Sequence, residues 1–155
     1  MKPLPDLPSA RPLPPGTRPL VALSGGPDST ALLLWLLEAG LDVVAAHYDH
    51  ALRPGSDRDA VRVAALCARL GVPLLLERRR GPQPHGSLQA AARELRYAFL
   101  GRALHESGSD LVCLGHTADD VVEGVVLHLM RGTGLAGLRG MPRRRGPFLR
   151  PFLDV

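Results

Sequence analysis

Pro19-Leu20-Val21-Ala22-Leu23-Ser24-Gly25-Gly26-Pro27-Asp28-Ser29 joins an apolar run directly to paired glycines and then to a proline that can open a helix. The apolar run predicts a buried strand, and Pro27 suits a first helical position. Adjacent glycines let the backbone curl around an anion without Cβ clashes, so Ser24-Gly25-Gly26 predicts a nest of N–H groups at a helix N-terminus, where the dipole favours negative charge. The hydroxyls of Ser24, Ser29 and Thr30 are expected to donate to the same phosphate oxygens. Asp28 would repel such a ligand unless a cation lay between them, which points to Mg2+; an acidic residue in a first helical turn is also an ordinary dipole partner. The turn lacks the GxxxxGK[ST] and GxGxxG patterns, so kinase and dehydrogenase readings lose ground.

Outward from this turn, short apolar runs alternate with segments of helical period, the order expected of an α/β fold with a parallel sheet flanked by helices. Strands are predicted at about residues 18–23, 41–47, 73–77 and 110–115, and helices at about 27–39, 57–70, 87–106 and 118–130. Ser56 with Asp59, and Thr117 with Asp120, resemble capping boxes, while Gly40 and Gly71 mark helix exits. In the last helix Val121, Val122, Val125, Val126 and Leu129 share one apolar face, and in the third Leu88, Ala92, Leu95, Phe99 and Leu100 form the core face. Residues 1–17 belong to a proline-rich stretch without apolar period and predict a disordered leader; residues 18–155 read as one domain.

The composition fits a soluble globular domain, with 45% apolar and 22% charged residues in 155. No apolar run approaches the roughly 20 residues of a membrane span, and the N-terminus has no secretory apolar segment, so a cytoplasmic location is expected. Cys67 and Cys113 are isolated, without a CxxC, and predict buried inert thiols in place of a disulfide or metal framework. A formal charge of +4 suits an anionic partner. Arg78 to Arg80 and Arg143 to Arg145, each beside Gly and Pro, are expected on loops that can meet phosphates, or as solvated surface runs.

Ser24-Gly25-Gly26-Pro27-Asp28-Ser29 resembles the SGGxDS motif of PP-loop ATP pyrophosphatases, a Rossmann-like superfamily that cleaves ATP between its α and β phosphates. Three further stretches resemble one branch, the tRNA(Ile)-lysidine synthetases: His47-Tyr48-Asp49-His50-Ala51-Leu52-Arg53 with Cys67 to Pro73; Gly86-Ser87 to Tyr97; and Leu114-Gly115-His116-Thr117-Ala118-Asp119-Asp120 with Glu123 and Arg131 to Leu135. Thr117, Val121 and Gly124 stand where that family usually has a histidine, a glutamine and a threonine. The resemblance implies ATP and Mg2+ as cofactors, tRNA(Ile) with a CAU anticodon and free L-lysine as partners, no membrane, and a homodimer as one possibility. It implies lysine ligation to C2 of the wobble cytidine through an adenylated intermediate. It also implies C-terminal domains beyond Val155, so the chain is expected to be cut short.

On this reading Ser24, Gly25, Gly26, Pro27, Asp28, Ser29 and His50 bind ATP, and Asp28, Asp119 and Asp120 hold Mg2+. Asp28, His116, Asp119, Asp120 and Arg131 are the catalytic set, and Arg53, Arg93, Arg96 and Glu123 meet tRNA or substrate. Residue by residue, plainer roles compete. His47 and His50 follow the second strand, where α/β sheets bind ligands, yet a lone histidine there is often structural. Asp120 can serve only as a cap, and Arg93 and Arg96 can line a solvated helix face. The rival functions are tRNA 2-thiolation, against which the missing CxxC counts, and a non-catalytic ATP- or RNA-binding fragment.

Overall fold

The computed structural model describes residues 13–51, 55–80, 88–130 and 140–155, except for the side chains of 127–129. Its strands are β1 (Pro19–Ala22), β2 (Val44–Asp49), β3 (Leu74–Arg78), β4 (Leu111–Leu114), β5 (Arg144–Arg145) and β6 (Phe148–Leu149). Its helices are α1 (Pro27–Glu38), α2 (Ser56–Leu70), α3 (Leu88–Ser107) and α4 (Ala118–Met130). They build one sheet in the order β3-β2-β1-β4-β6-β5, parallel except where β5 turns antiparallel to β6.

Side-chain alternation along the strands sorts the core into two faces. Val21, Leu23, Ala45 and Cys113 pack with Leu32, Leu33 and Leu36 of α1 and Val63 and Cys67 of α2. Leu20, Val44, Ala46, Val112 and Leu114 pack instead with Phe99, Leu100 and Ala103 of α3. Two crossovers carry the chain outward from β1 to β3 along one face; the return to β4, on the other side of β1, places α3 on the opposite face. The strand order therefore reverses between β1 and β4, and a crevice opens at their carboxyl ends.

Several boundaries differ from the sequence expectation for local reasons. The second strand begins at Val44, not near Leu41, because the exit of α1 consumes the intervening residues: Gly40, at φ +75°, donates to Leu37 O, and Leu41 donates to Leu36 O. The same pair of bonds closes α2 at Gly71 and α3 at Gly108. Ser56 does not cap α2; left-handed Gly55 occupies the cap position and moves Ser56 into the first turn. At α4 the box forms in part, with Asp120 Oδ2 accepting from the Thr117 N–H at 2.8 Å.

Two helix faces also depart from expectation. In α3 the buried residues are Phe99, Leu100 and Ala103, while Leu88 and Leu95 are exposed, so the core face is confined to the C-terminal half. In α4, Val122 and Val126 are exposed and Val121 and Val125 half-buried; the helix adds no described residue to either core cluster. Leu129's side chain lies outside the described set. The second arginine triplet is not a loop: Arg144–Arg145 is β5, turned onto β6 by Gly146-Pro147, with Gly146 at φ +58°. Near the N-terminus, Thr17 donates to Pro14 O and Leu13 packs against the first core cluster; the rest of the expected leader, residues 1–12, lies outside the described residues. Among the described residues no helix is long and apolar enough to cross a membrane.

Candidate active site

The turn after β1 and the turn after β4 meet at the crevice because β1 and β4 are paired neighbours, with Ala22 opposite Leu114. Gly115 makes the contact possible. A Cβ at this position would lie 2.9 Å from both Cα and N of Ser29, a distance that backbone atoms cannot absorb by rotating away. The sequence contains this glycine within a motif but does not reveal what it touches.

Hydroxyls hold the Ser24–Ser29 turn in shape. Ser29 Oγ, in a side chain 6% exposed, donates to Gly26 O at 3.1 Å and accepts from the Ser24 N–H at 3.2 Å. Since its one hydrogen is thereby used, the 3.0 Å contact between the two serine hydroxyls is donated by Ser24, which also accepts from the Gly26 N–H. Thr30 Oγ1 donates to Gly26 O at 2.8 Å. The three hydroxyls expected to donate to phosphate thus donate inward. The backbone donors that helix geometry leaves without an intrahelical partner here are the N–H groups of Asp28 and Ser29, since Pro27 has none and that of Thr30 bonds Gly26 O.

Two clefts flank the turn. One, of about 220 Å3, is lined by Ser24, Gly26, Asp28, Ser29, His116, Asp120 and Arg96. The other, of about 340 Å3, is lined by Ser24, His47, Tyr48, Asp49, His50 and also Arg96. Arg96 therefore stands where both clefts join. Its Nε is buried without a hydrogen-bond partner, and burial pulls its guanidinium below the usual arginine range. Arg93, one turn earlier, is exposed and folds back over the Tyr97 ring, 4.9 Å from its centroid. Both arginines meet the Tyr97 ring, Arg96 at 5.7 Å from its centroid, but only Arg96 also lines the clefts.

The histidines also divide. His47 lies within β2, 5% exposed, with Nδ1 2.7 Å from Leu23 O, so it donates to the end of β1 and acts as a strut. His50 follows β2; its Nδ1 is buried without a partner, and desolvation followed by the nearby Arg96 charge lowers its pKa. Its ring meets Tyr48 edge-on at 4.8 Å. His116 sits in the smaller cleft, its pKa lowered to about 4 by desolvation and then by the Arg150 guanidinium. It is neutral near pH 7.

Asp28 and Asp120 line the same cleft, from α1 and α4. Asp119 and Glu123 are exposed on α4 and line neither cleft. Among the described residues no three His, Cys, Asp or Glu side chains gather as a preformed metal site. Two carboxylates lining one cleft beside a glycine-rich turn do fit Mg2+, which commonly takes one or two carboxylates and completes its shell with ligand oxygens and water. Arg53 and Arg131 lie outside the described residues. Of the first arginine triplet, Arg78 ends β3 and pairs with Asp49 at 3.3 Å, and Arg79 donates to His50 O at 2.9 Å. These bonds brace the rim of the larger cleft.

Sequence reasoning missed Arg150. It is 2% exposed, and its Nε donates to His116 Nδ1 at 3.1 Å while its other nitrogens reach Pro142 O at 2.7 Å and Tyr97 Oη at 3.4 Å. A buried arginine is rare enough to signal a role, but nothing along the chain reveals its burial.

A parallel sheet whose strand order reverses at a glycine-rich turn, with two carboxylates and a histidine alongside, has the layout of the ligand crevice of open α/β folds. Residues 9–155 match the PP-loop domain, and the chain belongs to that family. It is 48% identical over 140 residues to tRNA(Ile)-lysidine synthase of Thermus thermophilus, covering 87% of this chain and 27% of that protein. To the enzyme of the same name from Deinococcus radiodurans it is 44% identical over 144 residues, covering 90% and 24%. The chain thus spans about a quarter of these curated relatives. In fold it is similar to a U34-tRNA thiolase from Methanococcus maripaludis, with TM-score 0.70, 18% identity and coverage of 90% of this chain and 53% of that one. An NH3-dependent NAD synthetase from Campylobacter jejuni is similar with TM-score 0.52, 22% identity, and 88% and 58% coverage.

Proposed function

We propose that the chain is the ATP-using part of a tRNA(Ile)-lysidine synthetase, a ligase that joins lysine to the wobble cytidine of tRNA(Ile). The observation that carries this reading is the junction of the Ser24–Ser29 turn with the His116–Asp120 turn across paired strands, in a chain 48% identical to a protein of that name. The triphosphate lies against the first-turn N–H groups of α1, with Arg96 as its counter-charge. An unpartnered Nε beside both clefts suits a ligand that runs from one to the other. The nucleoside end occupies the larger cleft, where the unpartnered Nδ1 of His50 can meet it.

Asp28 and Asp120 would hold Mg2+, which would offset negative charge on the phosphates; Asp119 and Glu123 are assigned to the cytidine or lysine side of the site. The cytidine O2 takes AMP from ATP with loss of pyrophosphate, and the lysine ε-amine then adds at C2 as AMP leaves. Positioning and electrostatic stabilisation of the leaving groups supply the catalysis. Pyrophosphate release that requires tRNA(Ile) transcript, with AMP release that requires lysine as well, is the expected outcome. ATP binding without such release would sink the ligase reading for this chain. It would favour the second reading, a non-catalytic nucleotide- or RNA-binding module. Sulfur dependence in place of lysine dependence would assign the chain to thiolation.

A further inference from the structure

Arginine is always protonated in a protein and has no acceptor, so the 3.1 Å contact between Arg150 Nε and His116 Nδ1 has one polarity: the guanidinium donates and the imidazole accepts. A protonated Nδ1 would set two donors against each other. The neutral ring therefore carries its hydrogen on Nε2, the nitrogen that Arg150 does not take, in a residue that lines the smaller cleft with Ser24, Asp28 and Asp120. Arg150 is itself fixed, buried between Pro142 O and Tyr97 Oη, and Tyr97 is held by Phe148 of β6 at 4.8 Å between ring centroids.

We propose that Arg150 is a positioning residue that fixes His116 as the Nε2–H tautomer, so that the cleft receives a neutral hydrogen-bond donor in place of a proton-accepting lone pair. The proposal rests on the nucleotide reading only in its consequence. An Nε2–H suits a phosphate oxygen, and His116 then serves as a donor to the nucleotide and not as a general base. It also makes the β5–β6 hairpin part of the site, since β6 leads straight into Arg150.

Histidine-selective 15N labelling of the full chain, with a long-range proton–nitrogen correlation spectrum near pH 7.5, tests the tautomer; His116→Gln identifies the signals. The expected wild-type pattern has Nε2 protonated and Nδ1 bare, and an Nδ1–H pattern overturns the proposal without any variant. Arg150→Met removes the donor and is expected to give mixed tautomers and ATP binding weaker by about twofold, the reciprocal of the Nε2–H fraction that remains. Arg150→Lys restores a donor and is expected to recover the Nε2–H form, even where both variants lose stability alike. An unchanged tautomer in folded Arg150→Met, or stability loss in both variants with no change at His116, means a purely structural arginine. Failure of the wild-type chain to bind ATP would overturn the proposed function and leave the tautomer result standing.

Discussion

Gly115 and Ser29 show how narrowly the phosphate turn is built. Gly115→Ala drives a Cβ into the backbone of Ser29 at 2.9 Å and is expected to cost about 1–3 kcal/mol, with weaker ATP binding, as read by urea denaturation and nucleotide titration. Gly101, exposed in α3 with nothing near its missing Cβ, is the control: Gly101→Ala is expected to stabilise by about 0.5–1 kcal/mol. Ser29→Ala removes a buried hydroxyl that bonds Gly26 O and the Ser24 N–H, with an expected loss of about 1–3 kcal/mol in the same assay. His116 adds a pH dependence. The unfolded chain takes up its proton near pH 6.5 and the folded chain only near 4, so this contribution is whole above 6.5 and is lost as the pH falls from there towards 4. Without nucleotide, His116→Gln is expected to flatten that part of the denaturation midpoint against pH; an unchanged slope would exclude His116 as its source.

Among the elements, α1 and α4 both begin beside the phosphate cleft yet are anchored differently. Leu32, Leu33 and Leu36 of α1 are fully buried, so Leu36→Ala is expected to cost about 2–5 kcal/mol. Val122 in α4 is 61% exposed, and Val122→Ser is expected to stay within about 0.5 kcal/mol of wild type. A large loss at Val122 in urea denaturation would mean that this face of α4 packs against a partner surface. The periodicity of α4 was visible in the sequence, but period alone does not say whether a facing surface exists. The hairpin was the reverse case. Two-residue strands are too short for a period-2 signal, and the Gly146-Pro147 turn was visible only as a break. Their pairing needed β4 as a template, with Val112 opposite Phe148 and Cys113 opposite Leu149.

Across the whole molecule, the two thiols report on opening. Cys67 and Cys113 are both buried in the core cluster shared by α1 and α2, and burial pushes the Cys113 thiol up to about 12. Labelling by a thiol reagent near pH 7.5 is expected to be slow for both and to become fast in denaturant; rapid labelling of Cys113 without denaturant would show local opening of β4. The sequence by itself determined the features that depend on neighbouring residues: the alternation of strands with helices, the left-handed glycine exits of α1 and α2, and the curled Ser24–Ser29 turn. These follow from backbone sterics and apolar period within a few positions. Tertiary structure decided which side chains share the crevice. Arg150 reaches His116 across 34 positions and Tyr97 across 53, Gly115 fits against Ser29, and Arg96 turns toward both clefts while Arg93 does not. Each depends on the order of strands in the sheet, because only the pairing of β1 with β4 and of β4 with β6 brings such distant segments within reach of one hydrogen bond.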